Sequence, residues 1–350
     1  MKKILFLILV VFSLRADSIL TIRHVTLADI VYQPHSEEGY LQGWNFFFRN
    51  SEFNIIATYL VSNLGPNDLN NGVSIAIESK KTGSIFITKE FGRKDLSVDN
   101  GINLKMYNNT LKYDNGVYEV SQFYDDMKLF LKFESDNLGA TLSGGKHFVK
   151  GQEKFVRADI PFSFVKTTGY IDYKGEIIEL EGVGGLEHLI TNYEVYKYSS
   201  KWEILRAVNK EGMKLYTGGF HGIKKSGEDF FRTLVIQNQK GEVLLSGMIT
   251  KTEIVSSELD KFSGYTLPVK EKIYIGDNGC FVQSDRLYSV GKINILSNIS
   301  AVLRFFIKLF FANPFQVNYS TRLTVNCPDS FKQIPTEFTG IHSYYLINPK

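Results

Sequence analysis

An all-β fold of sandwich or barrel type is what the sequence predicts, on three observations. Phe 27, Tyr 19 and Trp 2 make 14% of the 350 residues aromatic while Pro numbers only 8, and aromatic side chains suit pleated, half-buried surfaces. Apolar and polar residues alternate with period two over many short runs. Gly-, Asn- and Asp-rich turn signals separate these runs at fairly regular spacing, the pattern of a sandwich or barrel.

Taken in order, residues 1–16 read as a secretory leader. Lys2-Lys3 precede an apolar run over 4–14, and Arg15-Ala16 offers a small residue for cleavage. The run is short for a membrane span, and an uncleaved anchor is the alternative. The expected address is export, to a bacterial periplasm or cell envelope. The formal charge of +3 resides in Lys2, Lys3 and Arg15, so the remainder is formally neutral. With no long basic run, a nucleic-acid partner is not expected. Hydrophobic residues at 43% and charged residues at 22% mark a folding chain.

Strand runs follow at 44–49, 54–61, 73–78, 117–123, 128–134, 169–173, 201–209, 213–217, 242–250 and 318–325. In the first, Trp44 and Phe46 share one face and Phe47 takes the other. In 73–78, Val73, Ile75 and Ile77 oppose Ser74, Ala76 and Glu78; in 128–134, Leu129, Leu131 and Phe133 oppose Lys128, Lys132 and Glu134. Turns fall at 63–68, 114–116, 143–145, 240–241 and 277–279. No helix is expected before residue 290. An apolar helix is expected over 299–311, with Arg304 and Lys308 four apart on one face and Asn313-Pro314 closing it. A division into two domains is expected near residue 160.

Chemistry-bearing motifs are sparse. Cys280 and Cys327 are the only cysteines; export permits a disulfide, and two buried thiols fit the spacing equally well. His24, His35, His147, His221 and His342 stand singly, without HExxH. There is no nucleophile elbow and no P-loop, and Gly182-Val183-Gly184-Gly185 does not open a helix. No metal and no cofactor is expected.

Several segments in sequence order carry a resemblance: Gly43-Trp44-Asn45-Phe46-Phe47-Phe48, then Ser62-Asn63-Leu64-Gly65-Pro66-Asn67, Ile160-Pro161, and Thr168-Gly169-Tyr170-Ile171. Gly182-Val183-Gly184-Gly185-Leu186-Glu187-His188 and Trp202-Glu203-Ile204-Leu205-Arg206 complete it. This order resembles the lipocalin-like twin-barrel superfamily, which includes the CrtC carotenoid hydratases, the AttH proteins, the fungal survival-factor proteins and fungal cyclases of the Diels–Alderase kind. The resemblance implies two consecutive lipocalin-like antiparallel β-barrels, 17–160 and 161–350, with one amphipathic helix near the C-terminus and an apolar ligand in or between the barrels. The chain departs from the family's pattern at Leu189 and Ile190, where a polar continuation is usual; that departure weighs against hydratase chemistry.

Glu187 and His188 follow a glycine-rich turn at 182–185 and are the candidate acids for protonating an apolar alkene, which needs a strong acid in a low-dielectric site. The plainer reading gives His188 a barrel-closing hydrogen bond and Glu187 a cation. Alternation places Trp202, Ile204, Arg206 and Val208 on one buried face, so Arg206 needs Glu187 or a ligand head group as partner, unless a bulge turns it outward. Trp44, Phe46 and Trp202 either line a ligand cavity or fill a barrel. Over 299–311, Arg304, Phe305, Phe306, Lys308 and Phe310 would dock on a membrane surface, unless the helix is a lid or packs in the core with its charges snorkelling.

The leading functional expectation is an exported carrier of a lipid or other long apolar molecule. One alternative is a hydratase or cyclase acting on an isoprenoid or polyene; another is an outer-membrane or surface structural protein. An acid pointing unneutralised into an apolar cavity favours catalysis, whereas a Glu187–Arg206 salt bridge favours carriage.

Overall fold

The computed structural model describes residues 22–347, apart from 64–68, 136, 143–144, 151–152, 224–229, 278, 298–300, 302–303, 306–313 and 330–333. The leader expected at 1–16 lies outside the described residues, as does most of 299–311. Within that segment Ala301, Arg304 and Phe305 are helical. Among the described residues one short α-helix precedes residue 290, contrary to expectation: α1 (Leu27–Ile30), a single turn started by Thr26 and Asp29, whose side chain accepts from the Thr26 backbone N–H at 2.7 Å. No helix among the described residues is long and apolar enough to cross a membrane.

Thirteen strands form the first sheet: β1 (Tyr40–Arg49), β2 (Phe53–Ser62), β3 (Asn70–Ser79), β4 (Gly83–Phe91), β5 (Leu96–Asp99), β6 (Asn103–Met106), β7 (Asn109–Asp114), β8 (Val117–Phe123), β9 (Met127–Glu134), β10 (Ala140–Thr141), β11 (His147–Lys150), β12 (Lys154–Tyr173) and β13 (Glu176–Asn192). Their order is β4-β3-β2-β1-β13-β12-β9-β8-β7-β6-β5, with β10 and β11 on β12. The sheet rolls around one core, because Val73, Ile75 and Ile77 pack in the same cluster as Leu129, Leu131 and Phe133. Across that core the Tyr59 hydroxyl donates to the carbonyls of Thr110 (2.6 Å) and Ser121 (2.8 Å). β4 and β5 do not pair, so the barrel is nearly closed.

The second barrel closes completely. Its strands are β14 (Ser199–Val208), β15 (Lys214–Gly222), β16 (Phe230–Gln237), β17 (Val243–Asp260), β18 (Tyr265–Ile275), β19 (Cys280–Asn294), β20 (Phe315–Asn326) and β21 (Glu337–Leu346). They run in sequence order, and β21 pairs back onto β14. Leu205, Leu215, Leu234, Ile275, Val282 and Leu323 fill one end. Cys280 and Cys327 are joined by a disulfide there, which settles the choice between a bond and free thiols.

Strand membership changes between Asn192 and Ser199, not at 160. Residue 160 lies inside β12, which pairs with both β13 and β9 of the first sheet. The sequence leads one to expect a break near residue 160. The chain instead stays extended there through two register irregularities, between Asp159 and Phe162 and between Phe162 and Val165.

The barrels pack through apolar outer faces. Val156, Ala158 and Leu189 of the first meet Tyr198, Trp202 and Phe220 of the second. Beside them Ala140, Leu142 and Ile160 meet Ile204, Tyr216 and Val235.

Candidate functional site

β13 carries the glycine-rich segment, which is strand interior rather than the turn expected. A Cβ at Gly185 would lie 2.4 Å from the Phe47 ring, and one at Gly184 would lie 2.5 Å from the Phe47 carbonyl. Gly184 makes room for the Phe133 ring in the core, and on the opposite face of β13 Gly185 makes room for the Phe47 ring. On that ring sits the Arg206 guanidinium, 4.5 Å from the centroid.

Strand alternation then separates the two candidate acids. His188 pairs in register with Trp44 and points into the first barrel, whereas Glu187 points out between the barrels. Glu187 forms a buried salt bridge with Arg206; the residues are 3% and 2% exposed. Arg206 Nη2 also donates to Ser343 Oγ at 3.3 Å. Burial draws the guanidinium down to about 10, which leaves it charged at neutral pH.

His188 belongs to a different network. Gln42 Oε1 accepts from the Gln33 N–H (2.8 Å) and the Tyr40 hydroxyl (3.1 Å), so its amide nitrogen donates to the Val31 carbonyl (2.8 Å) and to His188 Nε2 (2.9 Å). His188 Nδ1–H therefore faces Asp159 Oδ2 at 3.2 Å. The imidazole is neutral in this arrangement, and burial lowers its pKa despite the pull of Asp159. Arg157 bridges Asp159 (2.9 Å) and Asp29 (2.6 Å), and Arg23 caps the chain at Asp29 (2.6 Å). Burial opposes ionisation of Asp29, yet Arg23, the Thr26 N–H and Arg157 hold it well below the usual carboxylate range.

A cavity of about 250 Å³ lies between the barrels. The first barrel contributes the outer faces of β1–β4, where Phe47, Ile56, Ala76 and Phe86 align across the strands and Asn54, Glu78 and Ser84 form the next row. The second contributes Arg206, Ile341, Asn318 and Val290 through Asn294. Ser84 and Phe262 are exposed on its rim.

Of the sequence-predicted residues that are among the described ones, Arg206 alone borders this cavity. Trp44 and Phe46 are fully buried in the core of the first barrel, and Trp44 Nε1 donates to the Ile30 carbonyl at 2.8 Å. Trp202 stacks on Tyr345 (4.4 Å) and Phe220 (5.5 Å) in the barrel–barrel contact. The Trp202–Arg206 face is thus buried against the other barrel, not inside its own; the inward face is Lys201, Glu203, Leu205 and Ala207. Phe305 is 61% exposed, and Arg304 donates to the carbonyl of Ser297, a cavity-wall residue, at 3.4 Å. Phe306, Lys308 and Phe310 lie outside the described residues.

Sequence reading missed a second buried polar group, inside the closed barrel. His342 Nδ1 lies 3.0 Å from the Tyr344 hydroxyl and 3.6 Å from Glu271, while its Nε2 lies 3.7 Å from Glu203. Burial raises Glu271; it also works to raise Glu203, but Lys201 and His221 hold that carboxyl well below its ordinary value. The gap beside Glu271, His342 and Tyr344 is too small to hold a water. Only period-two placement on β14 and β21 could have paired them. Among the described residues no three His, Cys, Asp or Glu side chains are set to hold a metal.

No protein-family model and no curated protein matches the chain. Solved structures do. A protein assigned as an AttH from Nitrosomonas europaea superposes with a TM-score of 0.64 at 10% identity, covering 93% of this chain and 98% of that one. Kievitone hydratase from Nectria haematococca gives 0.55 at 12%, covering 93% and 95%. CghA with Sch210972 gives 0.55 at 8%, covering 94% and 99%. At such identities the likeness speaks for architecture: with its two consecutive antiparallel barrels, this chain has the lipocalin-like twin-barrel fold.

Proposed function

We propose that the protein binds an apolar small molecule or lipid in the cavity between its barrels and carries it outside the cytoplasm. The observation behind this is the apolar wall of Phe47, Ile56, Ala76, Phe86, Ile293 and Ile341 around about 250 Å³ of space. Each CH₂ taken from water into such a wall contributes about 0.8 kcal/mol, so an eight-carbon chain gains about 6 kcal/mol before association costs. The Lys2-Lys3 leader and the Cys280–Cys327 disulfide support an exported protein. Exposed Phe305, and Arg304 bonded to Ser297 of the wall, support a lid or membrane-docking role for 299–311.

Kievitone hydratase among the structural neighbours favours a second reading, a hydratase or cyclase working in the same cavity. Carriage is preferred because both candidate acids are engaged: Glu187 by Arg206, and His188 by Asp159 and Gln42 away from the cavity. Organic extraction and native mass spectrometry of purified protein test the proposal. The expected result is a hydrophobic molecule released from the natural protein and absent from Ala76→Phe, which fills the wall. An empty natural protein that binds an uncharged naphthylamine dye no better than Ala76→Phe does would reject carriage.

A further inference from the structure

Two strands of the closed barrel run beyond their neighbours. β18 shares a ladder with β19 only from Lys270 opposite Asp285 to Ile275 opposite Cys280, and β16 pairs with β17 only as far as Met248. The outer part of the β17–β18 hairpin, 257–260 with 265–268, therefore pairs with no third strand among the described residues. Pro268 suits such a free edge, since it brings no N–H to a ladder.

Side chains hold this ribbon down. Alternation turns Glu258, Asp260, Tyr265 and Leu267 toward the barrel and leaves Leu259 and Thr266 exposed on the other face. Glu258 forms a salt bridge with Arg286, and Asp260 with Lys292, both on the stretch of β19 that β18 has left. The Tyr319 hydroxyl donates to Asp260 Oδ1 at 2.9 Å. The Phe262 and Tyr265 rings meet Phe315 edge-on at 5.6 and 6.3 Å. Leu267 is buried against Phe315, Val317, Tyr319 and Tyr344. The base of the ribbon is irregular. β17 slips register between Ile254 and Ser256 and again between Ser256 and Ser257, at the level of Lys270, where β18 leaves β19. Irregularities of this kind bend a strand.

We infer that residues 257–268 form a strap that swings open as a unit about this irregular base, uncovering the end of the second barrel at Val317 and Tyr344. Opening breaks two salt bridges, the Tyr319 hydrogen bond and the Phe315 and Leu267 contacts, but no ladder to a neighbouring strand. Local openings of this sort draw on the least stable part of a structure. Phe262 also borders the cavity between the barrels, and Lys292 stands on its wall, so the same movement widens the cavity mouth. The strap belongs to the second barrel and stands whether or not that cavity takes a ligand.

Thiol labelling of the full protein tests this, because Cys280 and Cys327 are bonded to each other and leave no free thiol. Leu267→Cys places a thiol under the strap, and Leu234→Cys places one in the closed core as the control. In native buffer Leu267→Cys should react with a maleimide at least about a hundredfold faster than Leu234→Cys, since opening the strap costs less than unfolding the barrel. Low urea should speed Leu234→Cys labelling steeply and Leu267→Cys labelling hardly at all, because the strap exposes little surface when it opens. Glu258→Gln with Lys292→Gln, at the more exposed member of each ion pair, should speed Leu267→Cys labelling about fivefold. Should Leu267→Cys fail to fold, Val317→Cys beneath the strap takes its place. Equal rates with equal urea dependence for the two thiols would overturn the inference, since the strap would then open only with the whole barrel. No acceleration by the double Gln variant would overturn it as well.

Discussion

Breaking the Glu187–Arg206 pair should be costly, and erasing it should not be. Both residues are nearly inaccessible, at 3% and 2% exposure, on strands from different barrels. Removing one partner of a buried pair typically costs about 3–5 kcal/mol, because the survivor is left charged and dry. The two single variants should differ within that range. Glu187→Leu leaves Arg206 with Ser343 and the Phe47 ring, so its cost should lie near the lower end, about 3 kcal/mol. Arg206→Met leaves Glu187 with no other side-chain partner among the described residues, so its cost should lie near the upper end, about 5 kcal/mol. The double variant replaces the pair by apolar volume and should fall within about 1 kcal/mol of the natural protein, or above it. Urea unfolding with a double-mutant cycle measures all three. Single variants costing under about 1 kcal/mol, as exposed pairs do, or costs that simply add in the double variant, would refute the reasoning.

Three further outcomes follow from the packing. Trp202→Ala removes the ring wedged between Tyr345 and Phe220, and should cost about 3–5 kcal/mol in the same unfolding assay, with weakened docking of the barrels. Cys280→Ala with Cys327→Ala opens a loop with a sequence separation of 47 and should cost about 4 kcal/mol by loop entropy; an unchanged urea midpoint would contradict this. His188 is held neutral by burial, so below its unfolded value near 6.5 the unfolded chain binds a proton that the folded one does not. Stability should therefore fall as pH drops from 7 through about 6, and His188→Gln should flatten that part of the profile.

The all-β class was legible because alternation and turn chemistry are local properties. Val73 to Glu78 and Lys128 to Glu134 form strands with the faces expected. Alternation says which residues share a face, but not which side of the strand is the barrel interior. That distinction fails where both sides are buried. On β14 the Trp202–Arg206 row is as buried as the Glu203–Ala207 row, since one meets the other barrel and the other fills its own. The same ambiguity on β1 drew attention to Trp44 and Phe46, which are core, and away from Phe47, which borders the cavity. The pairing of Arg206 with Glu187 was within reach because a buried guanidinium demands a carboxylate. Gly184 and Gly185 read as a turn because glycine marks turns most often; here their missing side chains admit the Phe133 ring at Gly184 and the Phe47 ring at Gly185. Nothing local tells those two uses apart. The cavity itself arises only where the outer faces of two barrels meet, and no window of sequence contains it.

The central claim is that the space between the barrels, not the interior of either, receives the ligand. Isoleucine-methyl NMR of the full protein during titration with octanol tests it most directly. The account predicts shifts at Ile56, Ile293 and Ile341 on the cavity wall, with Ile236 and Ile275 inside the closed barrel unmoved. Shifts centred on Ile236 and Ile275 would contradict it.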